Sequence, residues 1–536
     1  MENAKIVLLN PPGSVSKNAK LVVHHGIPHL GLAYIAGALK KHGMPFKLID
    51  AIGEDTNAFR SFNKNKILMI RGLSFKQIVE RFPKNPRYLC IAASYATDWL
   101  YLADFLKKIK VLYPDSIVIL GGEHATSYWD KILKYEDTVN FCVTGEADEI
   151  IIKLIDTLEK GQSPRAIEGI IFKDGSGEIV KNQKPARIKD LSDLKPDWEQ
   201  FPLENYFRNK TAVRSYGKTT MPMIASRGCP YQCTFCNSPN KWGTTQVVRS
   251  PEEVIEEMRM YRDKYKIDHI CLVDLASTVN GKWFLDLCQQ LIDANLGITW
   301  EMSSGTRSEL LSYENLVITK RSGNIHLSLS PESGSEETLK KIKKGVDLKH
   351  FAQVVKDCSR VGIRVKTNFI TGLEGQSIKE INLTYLLALK YAFIGSDDVV
   401  IYSYVPYPGT EMHNQLLKTG QLSINTREEY ESYNLQLSEY SFVAPKKSDV
   451  RHDYPIHVLN LAVMLTCYCI GLIRKPIRIP ELFWKVAVGK PIGVFEIALY
   501  SMIRYPYRIL KMRRLDKLES MEEPLVTLPR DQRVAS

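Results

Sequence analysis

The chain contains 536 residues with the composition of an ordinary folded protein and carries a formal net charge of +12. This length excludes a single small domain and predicts two large domains with a smaller third piece. The charge does not indicate nucleic-acid binding, because residues 451–517 hold 12 Lys and Arg against 4 Asp and Glu without any zinc-finger or RNA-recognition signature. We expect this basic segment to favour an anionic membrane surface over nucleic acid.

The ten cysteines bear on the compartment in which the protein works. No charged-then-apolar signal segment precedes residues 6–10, which already have the pattern of a buried strand, so we expect a cytoplasmic protein. In that reducing compartment, closely clustered cysteines serve as metal ligands or nucleophiles rather than as disulfides.

Residues 1–160 alternate apolar runs with amphipathic stretches, which predicts an α/β, Rossmann-like domain with a doubly wound parallel sheet. Strands are predicted at 6–10, 46–50, 88–94, 117–120 and 140–144, with helices such as 30–42 and 99–112 between them. An open sheet of this kind binds its ligand where the strands end. The residues predicted to bind a ligand there are Pro11, Pro12, Ser94, Thr97, Gly122, Glu123, His124, Gly145 and Glu146.

The rest of the chain divides into three segments. Residues 161–215 combine short strands, a glycine turn and several prolines, which indicates a linker with a hairpin. Residues 216–445 form a second alternating series that predicts a partial (β/α)6 barrel, with strands at 223–226, 269–273, 298–303, 325–330, 363–370 and 399–404. Residues 446–536 are predicted to form a mainly helical, basic C-terminal region.

Three cysteines follow the first predicted barrel strand in the pattern C-x-x-x-C-x-x-C. Cys229, Cys233 and Cys236 can together wrap one face of a 4Fe-4S cluster, which normally takes four protein thiolates and here would keep one iron open for a small molecule. The alternative is a zinc site, which would need a fourth Cys or His close by, and residues 225–242 supply none.

With this triplet the chain resembles the radical S-adenosylmethionine enzymes, whose signature is this spacing on the loop after the first strand of a partial barrel. The resemblance covers roughly residues 1–445 and is to the cobalamin-dependent class. It implies that S-adenosylmethionine chelates the open iron and is cleaved to a 5′-deoxyadenosyl radical. The supporting segments are Arg249-Ser250-Pro251-Glu252, Trp300 with Arg307, Glu332-Ser333-Gly334-Ser335, Lys344-Gly345, Gly372-Leu373 and Pro406-Tyr407-Pro408-Gly409-Thr410.

The resemblance also implies which side chains contact S-adenosylmethionine. Glu332 is similar to the residue after the fourth strand that contacts the nucleoside or the amino-acid part, and Arg307 matches a second position of the pattern. Relatives commonly carry an acidic pair after the second strand, whereas this chain has Asp274 with Ser277, so side-chain roles there rest on one carboxylate. The catalytic acid or base is not indicated.

The first domain resembles the cobalamin-binding module that precedes such barrels, through Pro28, the helix start at residues 30–34 and Gly121-Gly122-Glu123-His124. The D-x-H-x-x-G motif that places a histidine below cobalt is absent, so the resemblance implies a base-off cofactor, with His124 as an alternative lower ligand. A sheet retained for packing without a cofactor is the other interpretation.

The resulting functional hypothesis is cobalamin-dependent methyl transfer to an unactivated carbon. The alternatives are radical ring closure or oxidation of the anaerobic tetrapyrrole cyclase type, and a cobalamin sensor without catalysis, against which the intact cysteine triplet argues. The resemblance implies an electron donor such as flavodoxin or ferredoxin. The apolar run at 456–473 and the bases around it predict peripheral membrane contact and a small-molecule or lipid-like substrate, with a helical cap on the barrel as the alternative.

Overall fold

A computed structural model describes residues 4–16, 27–62, 65, 67–209, 216–439, 455–489, 491 and 493–522. Parts of the predicted linker and of the predicted C-terminal region therefore lie outside the described residues. The described chain contains two parallel sheets that are followed by helices, so the predicted α/β fold class is confirmed.

The N-terminal part contains a seven-stranded sheet, in which five neighbouring strands are parallel, in the order β8-β7-β6-β1-β3, with β3 at one edge. Strands buried on both faces have continuous apolar sequences, which is why these strands could be predicted from the sequence. The strands are β1 Ile6–Asn10, β2 Gly13–Ser16, β3 Phe46–Asp50, β4 Phe59–Ser61, β5 Leu68–Arg71, β6 Tyr88–Ala92, β7 Ile117–Gly121, β8 Phe141–Val143, β9 Ile170–Lys173 and β10 Ile179–Lys181. The helices are α1 Leu30–Lys41, α2 Ala51–Glu54, α3 Phe75–Val79, α4 Trp99–Leu112, α5 Glu123–Tyr135 and α6 Ala147–Glu159.

Two features of this part differ from the simple alternating pattern. The hairpin expected in the linker is β9 and β10, and β9 pairs antiparallel with β8, so the hairpin extends the first sheet. The strands β2, β5 and β4 form a small antiparallel sheet that the sequence did not predict. These three strands have only three or four residues each, too few to show a period.

The second sheet has six parallel strands in the order β11-β14-β15-β16-β17-β18, which is the predicted partial barrel. Its strands, with the short pair β12 and β13, are β11 Thr220–Met223, β12 Ser226–Arg227, β13 Val247–Val248, β14 His269–Leu272, β15 Thr299–Thr306, β16 Asn324–Glu332, β17 Arg364–Thr371 and β18 Asp398–Ser403. The helices are α7 Leu203–Asn209, α8 Ser238–Trp242, α9 Pro251–Tyr265, α10 Gly281–Ala294, α11 Tyr313–Arg321, α12 Glu336–Lys341, α13 Leu348–Val361, α14 Ile378–Ile394, α15 Glu411–Lys418 and α16 Arg427–Glu439.

The first barrel strand ends three residues earlier than predicted. The chain bends after Met223, where Ala225 N donates to Asp274 Oδ1 at 2.8 Å, and residues 226–227 then pair antiparallel with β13. Helix α9 begins as predicted, with Ser250 as N-cap and Glu253 completing a capping box.

The described C-terminal region is helical, with α17 Ile456–Arg474, α18 Arg478–Ala487 and α19 Val494–Glu522. Helix α17 packs on α14 and β18, and a third of its apolar window is buried. Asn460 on its inner face accepts hydrogen bonds from Thr371 Oγ1 at 3.0 Å and from Tyr385 Oη at 2.8 Å. Among the described helices, α17 alone is long and apolar enough to cross a membrane.

Candidate active site

The three cysteines of the predicted cluster lie together on the loop that follows β12. Cys229, Cys233 and Cys236 are each half-buried, and none forms a disulfide. The loop is attached to the barrel by a backbone hydrogen bond from Thr234 N to Ile342 O at 3.2 Å. It therefore presents three thiols at the carboxyl end of the barrel strands.

The arrangement of these thiols differs from a single-ion site. In the part of the chain that the structure describes, no three His, Cys, Asp or Glu side chains converge on a point that one metal ion could occupy. A zinc ion needs all its donors about 2.0 to 2.3 Å from one centre, whereas the thiolates of a four-iron cluster bind separate iron atoms. Three cysteines without a fourth Cys or His in residues 225–242 fit the predicted cluster better than zinc, which normally takes four protein donors in a structural site.

Gly228 forms the turn into the cysteine loop. Its φ of +92° lies in the left-handed region, which favours glycine. A Cβ atom at this position would lie 2.2 Å from the carbonyl oxygen of Thr245, so a side chain would displace the loop.

Two cations stand beside the cysteine loop. Burial raises the pKa of Cys233, and Lys344 and Arg307 act in the opposite direction. Lys344 Nζ pairs with Glu332 Oε1 at 3.0 Å, and both side chains are buried. Glu332 has a φ of +66°, a strained conformation for a residue with a side chain, of the kind that clusters at functional sites. These cations favour the thiolate form, which is the metal ligand.

Arg307 has unused hydrogen-bond donors beside the cysteine loop. Its guanidinium carbon lies 3.9 Å from the centre of the Tyr231 ring, and its Nη2 pairs with Glu309 at 2.6 Å. Its Nε and Nη1 atoms are buried and have no partner among the residues described. A buried donor without a partner is costly, so these atoms fit the prediction that Arg307 contacts the cofactor.

Asp274 holds the bend between β11 and β12. Its two oxygens accept hydrogen bonds from Ala225 N at 2.8 Å and from Ser226 Oγ at 2.7 Å, and burial raises its pKa to about 6. The buried Ser277 begins the short 3-10 helix that follows. Asp274 therefore positions the backbone that leads to the cysteines.

The barrel contains a cavity of about 450 Å³ whose wall combines hydroxyl, amide and charged groups with a larger apolar surface. Asn368 Nδ2 donates to Ser328 Oγ and Ser330 Oγ, both at 3.0 Å, while its Oδ1 atom is buried without a partner in the described chain. The residues that line the cavity include Phe235, Ser303, Ser328, Ser330, Glu332, Lys366, Asn368, Tyr402 and Tyr404. Because Phe235 precedes Cys236, the cysteine loop closes one end of this cavity.

A second cavity, of about 410 Å³, lies between the carboxyl end of the first sheet and the barrel. It is lined by six of the residues predicted to bind cofactor, namely Ser94, Gly122, Glu123, Gly145, Glu146 and Asp274. A Cβ atom at Gly121 would meet no atom within 4 Å, so the space beside this strand end is open. A glycine has no side chain, so the backbone at this strand end can closely approach a large planar ligand.

Four residues predicted at strand ends do not line this cavity: Pro11, Pro12, Thr97 and His124. His124 Nε2 lies 2.8 Å from Tyr430 Oη, its ring packs against Trp99, and burial lowers its pKa to about 3. The neutral imidazole therefore belongs to an aromatic cluster between α4, α5 and α16. His124 does not line the interdomain cavity.

Several residues that line the interdomain cavity were not predicted from the sequence as binding residues, among them His29, Arg227, Lys241 and Trp242. His29 Nε2 lies 3.1 Å from Ser94 Oγ, and burial lowers its pKa to about 4. The position of His29 just before α1 was a usable signal, because an N-cap residue faces the same edge as the strand ends.

A buried ion-pair network joins the two domains beside the cysteine loop. Arg227, two residues before Cys229, donates to both oxygens of Asp148 at 2.8 and 3.1 Å and to Glu146 at 3.2 Å. Its guanidinium lies 4.8 Å from the centre of the Tyr34 ring. Breaking one side of such a buried pair is strongly unfavourable, so the network fixes the cysteine loop against the wall of the interdomain cavity.

Comparisons with known proteins agree with this geometry. Residues 223–388 match the Radical SAM superfamily. The chain is similar to the anaerobic magnesium-protoporphyrin IX monomethyl ester cyclase of Cereibacter sphaeroides, at 25% identity over 426 residues that cover 78% of this chain and 63% of the cyclase. The chain thus spans less than two thirds of the length of that relative.

Two further similarities cover more of both chains. Cytidylyl-2-hydroxyethylphosphonate methyltransferase of Streptomyces wedmorensis is 24% identical over 498 residues, which cover 85% of this chain and 86% of the enzyme. The cobalamin-dependent S-adenosylmethionine radical enzyme OxsB, solved with aqua-cobalamin and S-adenosylmethionine bound, matches with a TM-score of 0.64 and 15% identity over 99% of this chain and 82% of OxsB. The last similarity shows the fold.

Proposed function

The chain carries a radical S-adenosylmethionine domain, and from this premise we propose that it is a cobalamin-dependent enzyme that transfers a methyl group to an unactivated carbon. The observation that carries the proposal is that one loop borders both cavities. Arg227 and Gly228 line the interdomain cavity, and Phe235 lines the barrel cavity. A corrinoid in the first cavity and a substrate in the second would therefore lie on either side of the same three cysteines.

Each part of the site has a proposed role. Cys229, Cys233 and Cys236 hold the 4Fe-4S cluster, and Arg307 with Glu332 orients S-adenosylmethionine beside it. The wall that contains Gly122 and Gly145 receives the corrinoid. When bound, these groups supply an electron that cleaves S-adenosylmethionine and a transferable methyl group. We propose that flavodoxin or ferredoxin donates the electron.

A radical cyclase is the second candidate, because the chain is similar to the Cereibacter sphaeroides cyclase. The two functions differ in the fate of the methyl group of S-adenosylmethionine. We expect extracts of cells that express the gene, supplied with methyl-deuterated methionine, to contain a product that carries the label and is absent without the gene. A gene-dependent product that lacks the label, formed together with 5′-deoxyadenosine, would identify a cyclase or oxidase.

We propose that the substrate is lipid-like and reaches the barrel from a membrane surface. Helix α17 docks one face on the barrel and exposes the other, and α18 exposes Phe483 at 67% and Trp484 at 60%. Helix α19 adds exposed bases, which include Arg513 and Arg514. Aromatic and apolar side chains beside cations suit helices that lie at a bilayer interface. Because hydroxyls and Lys366 line the barrel cavity, the substrate would carry a polar group.

This membrane proposal predicts the behaviour of two variants. The wild-type chain should float with vesicles containing phosphatidylserine at low salt and less at high salt, since basic residues contribute on the order of 1 kcal/mol each on anionic membranes. Phe483→Glu with Trp484→Glu should remain unbound. Val111→Glu, an exposed apolar position on α4 at 80% exposure, is the matched control and should float like the wild type. Equal flotation of all three chains, or of none, would remove the membrane from the proposal.

A further inference from the structure

Two tyrosines stand where the interdomain cavity and the barrel cavity approach each other. Tyr407 follows β18 and lines the barrel cavity. Tyr95 follows Ser94, which lines the interdomain cavity, and precedes the short 3-10 helix Ala96–Asp98. Burial raises the pKa of both phenols, and the carboxylate of Glu123, at the wall of the interdomain cavity, acts on both in the same direction. The two rings therefore lie near one carboxylate at the junction of the two cavities.

Both rings are accessible although protein surrounds them. Tyr95 is 69% exposed and Tyr407 is 55% exposed. A phenol that projects from a convex surface is fully hydrated and keeps its ordinary pKa, whereas burial raises the pKa of these two. They therefore form the walls of a recess. Large apolar side chains that stay accessible in a recess mark a surface that a ligand covers.

The backbone that carries Tyr407 is fixed beside the cysteine loop. Thr410 Oγ1 donates to the carbonyl oxygen of Tyr407 at 2.8 Å. Gly409 has a φ of +81°, and a Cβ atom there would lie 2.8 Å from Oδ1 of Asn237, the residue that follows Cys236. The turn after Tyr407 therefore packs directly on the end of the cysteine loop. A wall that is already in place reduces the entropy cost of binding a ligand.

The apolar part of the barrel cavity is mainly aromatic. Among the described residues its wall contains four aromatic side chains and three aliphatic ones, and the aromatic residues are Phe235, Tyr402, Tyr404 and Tyr407. Aromatic side chains offer large, flat and rigid contact areas. A flexible acyl chain loses conformational freedom when it lies against such a surface, whereas a rigid ring system does not. The wall therefore suits a flat, rigid apolar ligand better than a flexible chain.

We propose that the junction between Tyr95 and Tyr407 holds a lipid built on flat fused rings, an inference that rests on the proposed function. In this arrangement the ring system lies between the two tyrosines, with the interdomain cavity on one side and the cysteine loop on the other. Tyr95 and Tyr407 then determine specificity, because they select the shape of the molecule that reaches the reacting groups.

The test compares two fluorescent lipid alcohols of different shape. Dehydroergosterol is built on flat fused rings, and parinaryl alcohol is a single unbranched chain. We expect the anaerobically reconstituted full chain to bind dehydroergosterol at least tenfold more tightly than parinaryl alcohol, as measured by fluorescence anisotropy. Tyr95→Leu with Tyr407→Leu keeps the wall apolar and removes its flat rings. This double variant should bind dehydroergosterol about tenfold more weakly and parinaryl alcohol with unchanged affinity.

The control is Tyr313→Leu, which replaces an exposed tyrosine on α11 outside both cavities and should bind both alcohols like the wild type. Equal affinities of the wild-type chain for the two alcohols, or binding of neither, would overturn the fused-ring site. An equal loss for both alcohols in the double variant, or no loss for dehydroergosterol, would also overturn it. These results leave the methyl label in the product untouched, and only the absence of that label would overturn the proposed function.

Discussion

Replacing Cys229, Cys233 and Cys236 together by Ala is expected to abolish iron binding and 5′-deoxyadenosine formation. The wild-type chain, reconstituted anaerobically, should hold about four iron atoms, the content of one cubane cluster. Iron analysis and chromatography of the nucleoside product provide the measurement.

The control for this variant is Cys469→Ala, which removes an exposed cysteine on α17 outside the site. It should keep the full iron content and the wild-type yield of 5′-deoxyadenosine. Circular dichroism should show that the triple variant is folded, because the three cysteines are only half-buried and contribute little to the core. Retention of a full cluster by the triple variant would defeat the assignment.

Gly121→Leu is expected to reduce corrinoid binding at least a hundredfold while leaving the cluster intact. Gly121 ends β7 at the interdomain cavity, and a Cβ there would meet no atom within 4 Å, so a leucine can extend into the space proposed for the ring without disturbing the sheet. The absorption spectrum after gel filtration with hydroxocobalamin measures retention, and the wild-type chain should show a base-off spectrum.

Gly175→Leu, at an exposed turn between β9 and β10 where a Cβ is also unobstructed, controls for the loss of a glycine. It should retain as much corrinoid as the wild type. If Gly121→Leu binds hydroxocobalamin with unchanged affinity, the interdomain cavity is not the corrinoid site.

The fold was largely predictable because its strands lie in two buried parallel sheets. Runs such as residues 117–120 are apolar throughout, since helices cover both faces of the sheet, and the capping box at Ser250 marks a helix start by local hydrogen bonds alone. The small sheet of β2, β4 and β5 escaped prediction because its strands have only three or four residues, and because β2 pairs with β5 more than 40 residues further along the chain. No local pattern encodes such a pairing.

The cysteine loop was predictable because the spacing of its three cysteines indicates the ligand set of a cluster, and that spacing can be read directly from the sequence. The residues that line the interdomain cavity at the strand ends were predictable only in part. Ser94 and Gly122 line the cavity, whereas His124, one step further along the chain from Glu123, turns into the aromatic cluster around Tyr430. Which way a side chain points after a strand depends on distant elements, here α16.

The ion pairs beside the cysteine loop join residues of the first sheet to residues of the barrel. Arg227 belongs to the barrel, and its partners Glu146 and Asp148 stand at the end of the first sheet. The same residues wall the interdomain cavity. One buried network of ion pairs therefore fixes the position of the cysteine loop and forms part of the wall of the interdomain cavity.

The central claim is that the triplet holds a cluster with one iron open to S-adenosylmethionine. Electron paramagnetic resonance of the dithionite-reduced, reconstituted full chain tests it most directly, with spectra recorded before and after S-adenosylmethionine is added. The account predicts a reduced four-iron signal whose shape changes on addition, because the ligand binds the open iron. A spectrum that S-adenosylmethionine leaves unchanged, or the absence of a four-iron signal, would contradict it.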